Sequence, residues 1–116
     1  MLQSTTCARL SDGTAWCWGV GSDQQLGNGS DDNDYFTPQA VGTDTDWAQL
    51  LAGYLYGCGI KTDGTVWCWG NDDDGQQGNG DGSSDPVVDP TQVPGLSDIV
   101  HVTGAFSSSY NLCAMD

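Results

Sequence analysis

Glutamate is absent from this sequence of 116 residues, and basic residues nearly so: Arg9 and Lys61 stand alone against 16 aspartates, for a formal net charge of −14. So acidic a chain has no footprint for a phosphate backbone, which excludes nucleic acid as a partner. With no glutamate, with aspartate favouring turns, and with no segment at helical period, a helical architecture is excluded too. No apolar run is long enough to cross a bilayer and no basic amphipathic stretch could lie on one, so no membrane partner is expected. The only histidine, His101, stands in a strand-like run. No Gly-x-Ser-x-Gly elbow, phosphate-binding loop or His-Glu-x-x-His pair occurs, which leaves catalysis without a convergent site. Residues 1–6 have neither a charged start nor an apolar core and do not read as a signal peptide.

What the sequence does hold, it holds twice. Cys7-Ala8-Arg9-Leu10-Ser11-Asp12-Gly13-Thr14-Ala15-Trp16-Cys17-Trp18-Gly19 returns as Cys58-Gly59-Ile60-Lys61-Thr62-Asp63-Gly64-Thr65-Val66-Trp67-Cys68-Trp69-Gly70, 51 residues later. The offset persists through Gln25/Gln76 and Gly29/Gly80, then becomes 52 at Pro38/Pro90, Val41/Val93 and Asp46/Asp98. A period of roughly 50 residues belongs to propeller blades and related arrays. The chain divides into residues 1–6 (an incomplete start), unit 7–57, unit 58–112, and the start of a third unit at 113–116.

Within a unit the signals are those of short antiparallel strands. Asp12-Gly13 and Asp63-Gly64 lie between apolar runs, a strong hairpin signal. The runs after them, ending in Trp16-Cys17-Trp18 and Trp67-Cys68-Trp69, suit a half-buried pleated surface. Gly19 and Gly70 close those strands. Polar loops follow, and then short edge strands opening at Pro38 and near Pro90, where a missing ladder donor does no harm. Trp47-Ala48-Gln49-Leu50-Leu51 and Ile99-Val100-His101-Val102 open the next unit. The fold class is all-β.

The order Cys-x-x-x-x-Asp-Gly-Thr-x-Trp-Cys-Trp-Gly, then Gln-x-Gly-Asn-Gly, then Pro-x-x-Val, resembles the repeat of the regulator-of-chromosome-condensation family. Kelch repeats share the period, but no Gly-Gly pair occurs here. The resemblance implies a seven-bladed β-propeller of four-stranded antiparallel blades, of which this chain is a partial propeller of about two blades. Trp16, Trp18, Trp67 and Trp69, with Gly19 and Gly70, are then the structural core of the repeat. The sequence departs from the pattern at Gln77, where the family's leucine survives only in the other unit, as Leu26. Units of this kind need neighbours to bury their faces, so a fragment of a longer propeller is expected; a complete chain would instead close a ring as a homo-oligomer. The founding member's exchange-factor role on chromatin does not transfer to a chain of this charge.

Five cysteines remain: Cys7, Cys17, Cys58, Cys68 and Cys113. If Ser11-Asp12-Gly13 is a three-residue hairpin loop, Leu10 pairs with Thr14 and the count outward sets Cys7 opposite Cys17 and, likewise, Cys58 opposite Cys68. Opposed residues stand within disulfide range. The alternative is that they pack reduced as small core residues. Cys113 is left as an unpaired thiol. No Cys-x-x-Cys pair exists to hold zinc. Oxidised pairs would place the protein outside the cytoplasm, in an extracellular or periplasmic compartment.

The aspartates concentrate in two loops, residues 21–36 and 71–89, which leave the same side of successive blades. The expected function is a non-catalytic protein-interaction module whose partner meets Asp31, Asp32, Asp34 and Tyr35 in one loop and Asp72, Asp73, Asp74, Asp81 and Asp85 in the other. No cofactor is required. Two alternatives stand beside this. Asp72, Asp73 and Asp74 could hold Ca²⁺, since clustered carboxylates suit a hard cation, although the EF-hand spacing is not met. A hydrolase using loop aspartates would need an apolar pocket to raise a carboxyl pKa.

Overall fold

The computed structural model describes residues 5–22, 25–29, 34–53, 55–71, 87–104 and 112–115, leaving aside the side chains of 87, 88, 102–104 and 112–114. Among these residues the chain is built of strands: β1 (Thr5–Arg9), β2 (Ala15–Gly19), β3 (Tyr35–Ala40), β4 (Trp47–Ala52), β5 (Tyr56–Lys61), β6 (Val66–Gly70), β7 (Val87–Gln92), β8 (His101–Gly104) and β9 (Leu112–Met115). They form three antiparallel sheets in chain order, β1-β2-β3, β4-β5-β6-β7 and β8-β9. The second sheet is a complete four-stranded blade, flanked by three strands of one blade and two of another. The cysteine-to-cysteine period and the sheets are out of phase. Unit 7–57 runs through β2 and β3 and carries β4, which belongs to the next sheet.

The repeated Asp-Gly-Thr-x-Trp is a hydrogen-bond relay that builds the hairpin. Leu10 N–H bonds Thr14 O at 2.9 Å and Gly13 N–H bonds Leu10 O at 3.0 Å, with Gly13 at φ 85°. This is the three-residue loop with a left-handed glycine. Asp12 Oδ1 accepts from Thr14 N–H at 3.0 Å and from Thr14 Oγ1 at 2.6 Å, and that hydroxyl oxygen accepts from Trp16 Nε1 at 2.9 Å. Asp63, Thr65 and Trp67 repeat all three bonds at the same distances. One carboxylate thus fixes the turn, and its threonine fixes the first tryptophan.

The register follows from this turn. Cys7 lies opposite Cys17 and Cys58 opposite Cys68. Both pairs are disulfides, each with Cα atoms 4.1 Å apart. On β9 the backbone of Cys113 lies opposite Thr103.

The edge strands are longer than the prolines suggest. β3 begins at Tyr35 and β7 at Val87, so Pro38 and Pro90 are the fourth residues of six-residue strands instead of their first. A bulge explains how the ladder tolerates them. Cys17 pairs with Gln39 and Gly19 with Tyr35, so residues 36–38 bow out opposite Trp18 and Pro38 has no donor to supply. The second sheet has the same register shift between Cys68 and Gly70.

The apolar core lies between sheets as well as within them. Ala15, Cys17, Leu26 and Val41 of the first sheet and its loops pack with Trp47 and Trp69 of the second, whose rings meet edge-on at 5.8 Å. A second cluster joins Tyr56, Cys58, Ile60, Val66, Cys68 and Val93 to Ile99 at the entrance to β8. Among the described residues each cluster therefore joins one sheet to its neighbour, as in stacked repeat units.

Candidate functional site

The register sets the two ends of the blades apart. The hairpin turns at 11–13 and 62–64, with the connections at 41–46 and 93–100, lie at one end; the long loops after Gly19 and Gly70 leave from the other. The first of these long loops is rooted firmly. Gly21 N–H bonds Asp34 Oδ1 at 3.0 Å, tying the loop's two feet together. Between them Gln25 and Leu26 are fully buried. The main-chain carbonyl of Gln25 accepts the indole N–H of Trp69, in the next sheet, at 2.9 Å. Gly27 lies against the same indole with φ 64°, where a Cβ would come within 2.7 Å of the ring. Gly29 approaches Asp89 of β7, with a built Cβ 2.9 Å from its Oδ1.

These contacts sort the residues singled out in the sequence. Asp34 is exposed, but its carboxylate caps the loop's foot. Tyr35 is not in the loop: it opens β3, opposite Gly19, and packs half-buried on the inter-sheet cluster. Asp31, Asp32, Asp72, Asp73, Asp74, Asp81 and Asp85 lie outside the described residues, and the calcium candidates with them. Among the described residues, no three His, Cys, Asp or Glu side chains are grouped to hold a metal.

The four repeat tryptophans divide their work. Trp69 is fully buried beneath the Gln25–Gly27 segment, whereas Trp18, its counterpart, has no such segment over it among the described residues and is half-buried. Trp67 is half-buried against the inter-sheet cluster, and Trp16 is half-buried and tied to Thr14. Gly19 and Gly70 end their strands at φ 113° and 99°.

A cluster at the hairpin end escapes any motif search. Lys61 is 7% exposed, and its ammonium lies 2.7 Å from Asp44 Oδ2 and 3.6 Å from Asp46 Oδ1. The same nitrogen sits 4.0 Å from the Trp67 ring centroid and 5.3 Å from that of Trp47. A lysine of the second sheet thereby holds the connection that enters it. Its one sequence signal is that it is the only lysine in a chain of aspartates, placed where the other unit has Leu10.

Comparison with known proteins agrees with this geometry. The profile of the regulator of chromosome condensation (RCC1) repeat matches residues 12–60 and 63–114. The E3 ubiquitin-protein ligase HERC2 of Homo sapiens is 35% identical over 91 residues, covering 77% of this chain and 2% of that protein. The probable E3 ubiquitin-protein ligase HERC6 of Homo sapiens is 32% identical over 107 residues, covering 87% of this chain and 10% of that protein. Among solved structures, human WBSCR16 superposes with a TM-score of 0.76 at 21% identity, over 91% of this chain and 27% of that one. Prp20p from Saccharomyces cerevisiae, described with its binding to Gsp1p and histones, superposes with a TM-score of 0.70 at 15% identity, over 78% of this chain and 24% of that one. These structures share the fold. The chain spans a tenth or less of the curated relatives' length.

Proposed function

Because the chain belongs to the regulator of chromosome condensation (RCC1) repeat family, we propose that it is a non-catalytic protein-interaction module whose contact surface is the pair of Asp-rich loops that connect β2 to β3 and β6 to β7. The observation that carries this reading is the clamped root of the first loop. Its carbonyl at Gln25 is bonded to buried Trp69 and its feet are tied through Asp34, so the acidic stretch between them springs from a rigid base. Function placed on loops over a rigid scaffold is a general economy of folds, and less ordering on binding leaves more of the contact energy as affinity.

A net charge of −14 selects a basic partner surface and steers its approach. Protein binding is also what the structural relative Prp20p is described by, with Gsp1p and histones as its partners. Two disulfides suit an oxidising compartment, and the partner is to be sought among extracellular or periplasmic proteins. The test is quantitative capture of interacting proteins with three baits. These are the native chain, a loop variant with Asp31, Asp32, Asp72, Asp73, Asp74, Asp81 and Asp85 changed to Asn, and a hairpin variant with Asp12 changed to Asn. Partners that the loop variant loses and the hairpin variant keeps support the reading. Equal capture by all three baits, at unchanged circular dichroism, would refute it.

A further inference from the structure

Asp46 and Asp98 occupy equivalent places in the repeat, 52 residues apart, but the chain supplies a lysine to only one of them. Each precedes a residue whose N–H bonds the turn glycine of the hairpin before it: Trp47 to Gly13 O and Ile99 to Gly64 O, both at 3.0 Å. At Asp46 the second sheet sends in Lys61, its ammonium 3.6 Å from Oδ1 and lying over Trp67. Counted from Cys58 to Cys113, the place of Lys61 in the next unit falls on Asp116. Among the described residues, the first junction has an ion pair at this place and the second has none.

Beside Asp98 lies a cavity of about 640 Å³, between the second sheet and the entrance to β8. That volume is in the range of small-ligand sites. Ile60 and Ile99, both buried, give it an apolar wall, and Asp63, Asp98 and Gln49 give it polar groups. Both aspartates are exposed. Asp98 is held at φ 58°, the one non-glycine position with positive φ among the described residues. Such backbone persists where its surroundings hold it, and it gathers at functional sites. Lys61 also borders the cavity, but its charge is already balanced by Asp44 and Asp46.

We propose that this cavity is a second binding site, separate from the Asp-rich loops, and that it takes an organic cation on an aliphatic arm, the chemistry of an arginine side chain. The arm packs against Ile60 and Ile99 while the head meets the carboxylates of Asp63 and Asp98. A planar guanidinium pairs with carboxylates through charge-assisted hydrogen bonds, and the Asp46–Lys61 pair shows that the equivalent carboxylate of this fold accepts a cation.

The test is an amide-resolved NMR titration at low salt with three probes: agmatine, a blocked Gly-Arg-Gly peptide, and the same peptide with neutral citrulline in place of arginine. Saturable shifts at Asp63, Gly64, Asp98 and Ile99 are expected with the two cations and not with citrulline. Asp98→Gly should weaken both cations about tenfold, the scale of one charge-assisted hydrogen bond, without lowering the melting temperature, because glycine suits the left-handed backbone. Asp63→Asn should weaken both cations on the same scale; because Asp63 also fixes its hairpin turn, this variant melts earlier and its binding is compared well below that transition. Tighter binding of the peptide than of agmatine identifies the ligand as a side chain of a partner protein; equal binding identifies a free organic cation. The loop variant described above should leave these shifts in place, so failure of the loop reading and failure of this one are distinguishable. Equal binding of the citrulline peptide, unchanged affinity in Asp98→Gly, or shifts confined to residues outside the cavity would overturn the assignment.

Discussion

Trp69 donates its indole N–H to the carbonyl of Gln25, 44 residues earlier in the chain, across the boundary between two sheets. This bond joins two motifs of the repeat: the Trp-Cys-Trp-Gly of one unit and the Gln-Leu-Gly-Asn-Gly run of the other. It also explains why a glycine stands next to it. Gly27 combines φ 64° with a Cβ position 2.7 Å from the Trp69 ring, so any side chain there meets both backbone strain and a rigid aromatic. Gly27→Ala is expected to destabilise the fold by about 3 kcal/mol, combining a left-handed backbone penalty with overpacking. Gly95→Ala is the control. Its φ is 78° with nothing within 4 Å of the added carbon, so only the backbone penalty of roughly 1 kcal/mol applies. Urea unfolding of the two variants measures the difference, and equal losses would mean that the indole contact contributes nothing.

Lys61 and Asp44 form an ion pair of mixed exposure, with side chains 8% and 43% accessible. Solvent at the aspartate screens part of the attraction, so the pair is worth less than a fully buried one. Lys61→Met keeps the aliphatic stem against Trp67 and removes the charge. Its expected cost is about 1–2 kcal/mol, from the lost charged hydrogen bond and cation–π contact. In a double-mutant cycle with Asp44→Asn, a coupling energy above about 0.5 kcal/mol confirms a direct interaction. Additive losses would assign the lysine's effect to packing alone.

The sequence showed the architecture well and the loops poorly, for a physical reason. Asp-Gly hairpins, tryptophan-rich strands and the cysteine register are local or periodic, and the count from Leu10 and Thr14 set Cys7 against Cys17 as the structure does. What the count could not reach was the bulge. Residues 36–38 bow away from Trp18, so the strand runs on past its proline to Tyr35, which looked like a loop residue. Nor could it reach the Lys61 cluster, whose partners Asp44 and Asp46 come from an interblade connection and whose aromatic neighbours come from two strands. Such a constellation is made by the meeting of sheets, and no spacing within one segment reports it.

Asp12 and Asp63 should titrate below the ordinary aspartate value of 3.8, because Thr14 and Thr65 donate hydroxyl and then backbone hydrogen bonds to their ionised forms. A folded-state pKa lower than the unfolded one contributes stability that is present above the unfolded value and is lost as pH falls through the folded one. The hairpins should therefore weaken below about pH 3.8 and not in the neutral range. Thr14→Val and Thr65→Val should move the two carboxyl titrations back upward, as read by NMR of the side-chain carbons. Unmoved titrations in these variants would break the proposed relay from carboxylate to threonine.

Tyr56 gives the opposite sign at the other end of the scale. Burial raises its phenol above 10.0, and the residue has no exposed surface, packed in the cluster with both cysteines of the second disulfide. A folded pKa above the unfolded one gives stability that is complete below the unfolded value and lost as pH climbs through the folded one. Ultraviolet difference titration of the native chain against Tyr56→Phe should accordingly show the Tyr56 phenol ionising above 10.0, together with the onset of alkaline unfolding above about pH 10. Replacing Cys58 and Cys68 by alanine links the two effects. Loss of the cross-link should cost roughly 2–3 kcal/mol through the freer unfolded chain and bring the alkaline transition to lower pH. If that double variant unfolds in base at the same pH as the native chain, the buried phenol is not what limits stability there.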